Sequence, residues 1–216
     1  LSTAGTTPTT SALAFNFAGA WADDATLYVS GQLDFASRSV VTRVNADTLA
    51  STVVINNIAD GSGGVAVYAS RLWVGNGFDL GTPTATGNVR AFNLPALAGA
   101  GSAVGFGTGT LIADVLSASP LDFDGFGNLL AGGGEPGNAS ESGHAAVYDV
   151  TGGTRLNLAP AGNQFYGVRW NAVTQELWVS DPYGTGLVYR YAVPGPAVSA
   201  VALLGILASG RRRRHA

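Results

Sequence analysis

One short segment recurs four times along this sequence, and the recurrence limits the folds that the chain can adopt. Each copy is a Leu followed by apolar residues and a small residue, and consecutive copies start 45, 57 and 48 residues apart. Repetition at such a period is typical of folds that stack one supersecondary unit several times. The copies cover residues 27–30 (LYVS), 72–75 (LWVG), 129–132 (LLAG) and 177–180 (LWVS).

The sequence around each copy favours β-strands. β-branched and aromatic residues bounded by turn residues predict strands, and no stretch before residue 196 has a sustained helical period. Second runs of this kind follow the copies at 40–44, 89–92, 145–148 and 187–191. Earlier strands are predicted at 13–17, 65–68, 121–123 and 165–170, and outer strands at 52–56 and 155–158. The body is therefore predicted to be all-β.

A unit of about 45 residues with up to four strands resembles the blade of a β-propeller, whose sheets surround a central channel. This resemblance of architecture spans roughly residues 13–192, without the GH and WD signature of WD40 repeats. We expect about four four-stranded blades in a β-propeller-like domain over residues 1–192. A β-sandwich is the alternative, because short, evenly spaced strands also close in that way.

Four blades are few for a closed ring, and the sequence starts at Leu1 without an initiator Met. We therefore expect either that further blades lie upstream or that residues 1–11 supply an outer strand to the last blade.

The amino-acid composition excludes some classes of function. Charged residues make up 12% of the chain, against a usual share of about 25%, and hydrophobic residues make up 46%, which favours a folded protein over a disordered one. Residues 1–210 carry 7 Arg against 14 Asp and Glu, so a nucleic-acid partner is not expected. The absence of Cys excludes disulfides and thiolate chemistry.

The C-terminal segment, residues 193–216, has three parts. A proline motif comprises Val193, Pro194, Gly195 and Pro196. An apolar run and a basic cluster follow, with anchor residues Ala197, Leu203, Leu204, Ile206, Leu207, Arg211, Arg212, Arg213 and Arg214. An apolar run that ends in basic residues indicates a membrane segment with a cytoplasmic anchor. A helix over 197–210 would be about 21 Å long, short of the roughly 30 Å hydrocarbon core, so a terminal core helix is the alternative.

This pattern over residues 193–214 resembles the sorting signal of PEP-CTERM proteins. In that family the signal directs an exported bacterial protein to an exosortase, a membrane transpeptidase that removes the tail. The products are associated with the envelope and with extracellular polysaccharide. The resemblance implies export, initial anchoring in the inner membrane and an exosortase as partner. Gly195 stands where the family has Glu between the two prolines, so the motif is a variant.

Acidic residues recur in the loops after the repeated segments, namely Asp34, Asp79, Glu135 and Asp181. If these loops share one rim of a channel, their carboxylates converge on a hard cation or on sugar hydroxyls. The alternative is that they are turn residues that cap their own backbone. We favour the alternative, and we expect neither a tight metal site nor a cofactor.

Other candidates are weaker. Residues 122–128 are rich in oxygen ligands but depart from the EF-hand pattern, so a turn is predicted there. His144 is expected at the edge of a strand, and no Gly-x-Ser-x-Gly elbow is present. The aromatic residues of the repeated strands are expected in the core between neighbouring sheets; they are Tyr28, Trp73 and Trp178.

Two function hypotheses follow. The first is an exported, non-enzymatic binding or scaffold protein at the cell envelope, with a polysaccharide or a protein as ligand. The second is a metal-assisted hydrolase or lactonase of propeller type, with carboxylates at the channel mouth. A convergent set of His, Asp, Glu and Asn would separate the two. The sequence supplies acids with no imidazole near them, which favours the binding protein.

Overall fold

The structure is a computed structural model that describes residues 15–32, 39–58, 63–76, 88–114, 120–133, 144–150, 155–157, 165–182 and 185–193. Within these ranges the protein is all-β, as predicted, apart from helix α1 (Leu94–Gly99) and a 3-10 turn (Phe106–Thr108). The strands form four separate open sheets.

Apart from β8, the strands of the four sheets succeed one another along the chain. The first contains β1 (Phe15–Trp21), β2 (Thr26–Gln32), β3 (Ser39–Asn45), β4 (Ser51–Ile58) and, parallel to β4, β8 (Val104–Gly105). The second contains β5 (Val65–Tyr68), β6 (Arg71–Gly75), β7 (Asn88–Asn93) and β9 (Thr110–Asp114). The third contains β10 (Leu121–Phe123), β11 (Leu129–Gly133), β12 (His144–Tyr148) and β13 (Arg155–Asn157). The fourth contains β14 (Gly167–Asn171), β15 (Glu176–Asp181) and β16 (Leu187–Ala192).

Each sheet begins as an antiparallel meander, because its first three strands are neighbours both in the chain and in the sheet. The recurring segments lie in the second strands, β2, β6, β11 and β15. Polar side chains fix the turns before two of these strands. The Asp23 carboxylate accepts a hydrogen bond from the Ala25 N–H at 2.9 Å, and the Asn171 side chain accepts one from the Val173 N–H at 3.0 Å. Such Asx turns substitute a side-chain acceptor for a backbone one.

Consecutive sheets pack face to face through three clusters of buried side chains. Each cluster contains one pair from the recurring segments: Tyr28 with Leu72, Trp73 with Leu129, and Leu130 with Leu177. Side chains alternate between the two faces of a strand, so the first residue of a segment faces the preceding sheet and the second faces the following one. Each fully buried Leu contributes about 1.5–3 kcal/mol, which makes these contacts a main source of stability.

The prediction that the repeated aromatics are core residues holds for Tyr28 and Trp73, which are 2% and 3% exposed. It is wrong for Trp178, which is 39% exposed. Trp178 is the second residue of its segment and therefore faces away from the third sheet. No buried cluster among the described residues includes it, so its ring stays at the surface.

The sequence analysis did not predict α1, β8 or β9. Helix α1 has six residues, too few to show a helical period, and it is fixed by Asn93, whose side chain accepts from the Ala96 N–H at 3.0 Å. Strand β9 is the outer strand of the second sheet and leaves Leu111 55% exposed. It therefore lacks the buried apolar pattern on which the other strands were identified.

Candidate functional site

One concavity that the described residues line is a cleft of about 630 Å³ between the first and second sheets. The β1–β2 turn, strands β2 and β3, and helix α1 form its walls. Its polar lining residues include Asp23, Thr26, Tyr28, Arg43, Asn45 and Ser70. A volume of this size is within the range of about 300–1,000 Å³ that is usual for sites of small ligands.

Arg43 and Tyr28 bring charge and a hydroxyl to this cleft from neighbouring strands. They are directly opposite each other in the register of β2 and β3, so their side chains share one face of the first sheet. The Arg43 Nη1 donates a hydrogen bond to the Ala98 carbonyl at 3.4 Å, which directs the guanidinium toward the end of α1. The side chains thus converge because of the strand register, although they are distant in sequence.

The ionisation of the cleft is set by its surroundings. Burial raises the pKa of the Tyr28 hydroxyl, an effect that the Arg43 charge opposes and the Asp23 charge reinforces. Hydrogen bonding from the Ala25 backbone lowers the pKa of the Asp23 carboxyl. At neutral pH the Asp23 side chain is therefore a carboxylate and the Tyr28 phenol is un-ionised, and both lie beside Arg43 in the cleft. This combination of donors and acceptors suits a ligand that is rich in hydroxyl groups.

A second, smaller pocket of about 290 Å³ lies where the first strands of all four sheets meet. Phe17 of β1, Val65 of β5, Leu121 of β10 and Val168 of β14 all line it. Polar contacts near this pocket join the third and fourth sheets. The Asp122 carboxylate accepts from the Trp170 N–H at 2.8 Å and lies 3.9 Å from the Arg169 guanidinium.

Of the four predicted rim acids, Asp34, Asp79 and Glu135 lie outside the described residues. Asp181 ends β15 and is fully buried. Its carboxylate accepts from the Thr185 N–H at 2.9 Å and from the Thr185 hydroxyl at 3.0 Å. At this position the structure thus shows the turn-capping role that the sequence analysis weighed as the alternative.

Residues 124–128 form a turn between β10 and β11, within the stretch 122–128 where a turn was predicted. Asp124 holds this turn together, because its carboxylate accepts from the Phe126 N–H, the Asn128 N–H and the Asn128 amide, each at 2.8 Å. In the part of the chain that the structure describes, no group of three or more His, Cys, Asp and Glu side chains is arranged to hold a metal ion.

The remaining predicted residues are divided between described and undescribed parts. His144 is the first residue of β12. Val193 packs in the core cluster between the third and fourth sheets and is 7% exposed, whereas Pro194, Gly195, Pro196 and the anchor residues lie outside the described residues. Within the described ranges no helix is both long and apolar enough to cross a bilayer.

The sequence analysis missed the cleft residues Asp23 and Arg43. The available signal was a single Arg inside an otherwise apolar or uncharged predicted strand, residues 40–44 (VVTRV). A charge at such a place indicates a polar partner or a solvated face, but the sequence does not say which residue lies opposite.

Comparisons with known proteins agree with the fold and do not show a family. No protein-family model and no curated protein sequence matches this chain. The computationally designed Ika4 protein superposes with a TM-score of 0.50 at 11% identity, over 83% of this chain and 91% of that one. A chain of the mitotic checkpoint complex gives a TM-score of 0.54 at 13% identity, over 82% of this chain and 49% of that one. An auxiliary nutrient binding protein from Bacteroides ovatus gives a TM-score of 0.50 at 15% identity, over 77% of this chain and 35% of that one.

The chain thus spans about half of the second of these structures and about a third of the last. At such identities the likeness concerns the fold alone.

Proposed function

We propose that this protein is an exported, non-enzymatic binding or scaffold protein with a β-propeller-like body, which the C-terminal segment holds at the bacterial cell envelope. Its ligand is a polysaccharide, bound in the cleft between the first and second sheets. The observation that carries the proposal is the convergence of Asp23, Tyr28 and Arg43 in that cleft.

The propeller-like arrangement is supported by the order and packing of the sheets. Each sheet contacts the next one along the chain, and the first strand of every sheet lines the same small pocket. In a propeller the first strands line the central channel, whereas a sandwich places all strands in two stacked layers. We therefore assign the pocket of about 290 Å³ to the centre of the array.

The chemistry of the cleft favours a polysaccharide over other ligands. Sugar hydroxyls both donate and accept hydrogen bonds, and the cleft offers the Asp23 carboxylate as acceptor and the Arg43 guanidinium as donor. Apolar residues, including Val67, Leu94 and Pro95, line the same cleft and can contact the less polar faces of sugar rings. An exported protein at the envelope would meet such polymers directly.

The proposal of export and anchoring is based on the C-terminal segment, which we also call the tail. The Val193 to Pro196 motif, the apolar run and the Arg cluster resemble a PEP-CTERM sorting signal, which in its family leads to an exosortase. In this proposal the membrane and an exosortase are the partners of residues 194–216, while the β-sheet body binds the ligand outside the cell.

Calorimetric titration of the full chain with neutral and with acidic oligosaccharides tests the ligand assignment. Arg43→Gln and the isosteric Asp23→Asn should each weaken binding by at least about tenfold, since each removes the charge from a hydrogen bond to the ligand. Arg190→Gln, on the fourth sheet and outside the cleft, is the matched control and should bind as the unaltered protein does. Equal affinities for all variants would refute the cleft as the site.

A further inference from the structure

Among the described residues, the first and fourth sheets each have one face on which no other described sheet packs. We call the leading face the side of the first sheet that carries Trp21, Leu27, Val29 and Val44, which share one face by register. We call the trailing face the side of the fourth sheet that carries, by register, Arg169, Glu176, Trp178, Ser180, Val188 and Arg190. Trp21, Trp178 and Val188 are 57%, 39% and 61% exposed. Exposed large apolar side chains that lie together on one face are typical of a surface that contacts another protein.

Each contact between consecutive sheets joins the trailing side of one sheet to the leading side of the next, and the two faces are the unpaired examples of these two sides. The first residue of each recurring segment faces the preceding sheet and is fully buried at Leu72, Leu129 and Leu177, but only half-buried at Leu27. The second residue faces the following sheet, and it is buried in three sheets and exposed at Trp178. The chain thus carries both halves of a fourth contact of the same kind.

The contact between the second and third sheets shows how these halves fit. Phe123, which is opposite Leu129 in the register, packs edge-on against Trp73 with ring centroids 4.9 Å apart. Trp21 is opposite Leu27 in the same way, so it corresponds to Phe123, and Trp178 corresponds to Trp73. By this correspondence Trp21 fits against Trp178.

The first and fourth sheets line the same small pocket, but their faces share no buried cluster among the described residues. The two faces also differ in charge, because the trailing face carries Arg169 and Arg190 beside the single carboxylate of Glu176, which accepts from the Trp178 indole N–H at 3.2 Å. Asp23 and Asp24 share a hollow with Trp21, whereas the Arg190 guanidinium lies over the Trp178 ring at 6.0 Å from its centroid.

We propose that the leading face of one copy of this chain packs on the trailing face of a second copy, with Trp21 against Trp178 and Arg190 near Asp24. The contact continues the sheet-on-sheet packing of the body from one copy into the next. It is head-to-tail, so two copies close a common ring when the rotation between them permits. The inference rests on the propeller-like arrangement proposed above and is independent of the ligand and the anchor.

Cross-linking tests this contact while keeping both Trp residues, because the chain has no native Cys. Leu27 and Val188 correspond to Leu129 and Val89, which share one buried cluster. A full-length chain with Leu27→Cys is mixed in mild detergent with a differently tagged chain with Val188→Cys, and a short bis-maleimide is added. We expect cross-linked pairs at least tenfold above the control, in which Val173→Cys, 93% exposed in the β14–β15 turn, replaces Val188→Cys.

The double variant Leu27→Cys, Val188→Cys separates the alternatives. Cross-links between chains support the proposal, while cross-links confined within single chains mean that the array closes on itself and overturn it. Yields equal to the Val173→Cys control also overturn it.

Sedimentation supplies a second measurement. Trp178→Ser and Trp21→Ser should each weaken self-association at least tenfold with the circular dichroism spectrum unchanged, and Val173→Ser should not. Self-association that survives both Trp substitutions overturns the proposed contact. Oligosaccharide binding by Trp178→Ser, measured in parallel, tests the cleft separately.

Discussion

The second and fourth sheets contain the same tripeptide, Leu-Trp-Val, at equivalent places in β6 and β15. In β6 the residues from Leu72 to Gly75 are all buried, whereas in β15 burial alternates and Trp178 is exposed. The tripeptide is the same in both strands, so the difference in burial comes from the neighbouring layers. The second sheet lies between two others, and the fourth has a described neighbour on one side only. Burial in this fold is therefore a property of position in the array rather than of the segment.

The largest effect is expected from comparing the two tryptophans of this tripeptide. Trp73→Ala should cost about 3–5 kcal/mol of the free energy of unfolding, because it removes a ring packed between two sheets. Trp178→Ala should cost less than about 1 kcal/mol at concentrations where the chain is monomeric, as a surface substitution does. Urea denaturation followed by circular dichroism measures both. Equal losses would mean that the two sheets have equivalent surroundings.

The tail is expected to act on location and not on folding. Because Val193 packs in the core, the informative truncation removes residues 194–216, which should release a folded body from the membrane fraction. Replacing Arg211 to Arg214 with Ser should weaken retention by about 1 kcal/mol for each residue at an anionic leaflet. Fractionation with immunoblotting measures both effects. An unfolded truncated protein would show that the tail belongs to the core instead.

Restoration of the sorting motif is a further test of the tail. Gly195→Glu should increase removal of the tail in a host that has an exosortase, because it restores the acidic residue of the family's motif. Mass spectrometry of the C-terminus measures the cleaved fraction. Identical cleavage of the two proteins would show that the acidic residue is dispensable.

The turns of the inner and outer sheets should also differ. Asp124 is 3% exposed and accepts three hydrogen bonds in the third sheet, so Asp124→Ala should destabilise the protein by about 1–3 kcal/mol, the cost of unpaired buried donors. Asp23 is exposed at the corresponding turn of the first sheet, and Asp23→Ala should change stability little. Thermal melts of the two variants compare the turns. A larger loss from Asp23→Ala would contradict this ranking.

The smallest effect concerns two tyrosines in the outer sheets. Burial raises the pKa of Tyr28 and of Tyr191 above the ordinary value of 10.0. Their contribution to stability is therefore complete below about pH 10 and is lost as the pH rises through the raised pKa of the folded protein. Tyr28 is buried and Tyr191 only half-buried, so Tyr28→Phe should reduce alkaline destabilisation more than Tyr191→Phe does. Unfolding measured from pH 8 to pH 12 compares them.

The strands and their order could be predicted because apolar alternation and turn residues are local signals. The exposure of Trp178 could not be predicted, since the same Leu-Trp-Val tripeptide surrounds the buried Trp73. The cleft could not be predicted either, because Asp23, Tyr28 and Arg43 come together only through the pairing of β2 with β3. Asp181 shows why acidic residues in loops are weak evidence for a binding site. A carboxylate that accepts hydrogen bonds from its own turn has the same local sequence as one that binds a ligand.

The arrangement of the four sheets around one centre is tested most directly by distances between equivalent turns. Spin labels on Cys introduced in pairs at Asp24, Ala69, Gly125 and Val173 mark the exposed turns between the first and second strands of the four sheets. Double electron–electron resonance is measured with the labelled chains diluted in unlabelled protein. We predict three similar distances between consecutive sheets, all shorter than the two distances that skip one sheet. Distances that instead group the four turns into two close pairs would indicate two stacked layers and contradict the propeller-like arrangement.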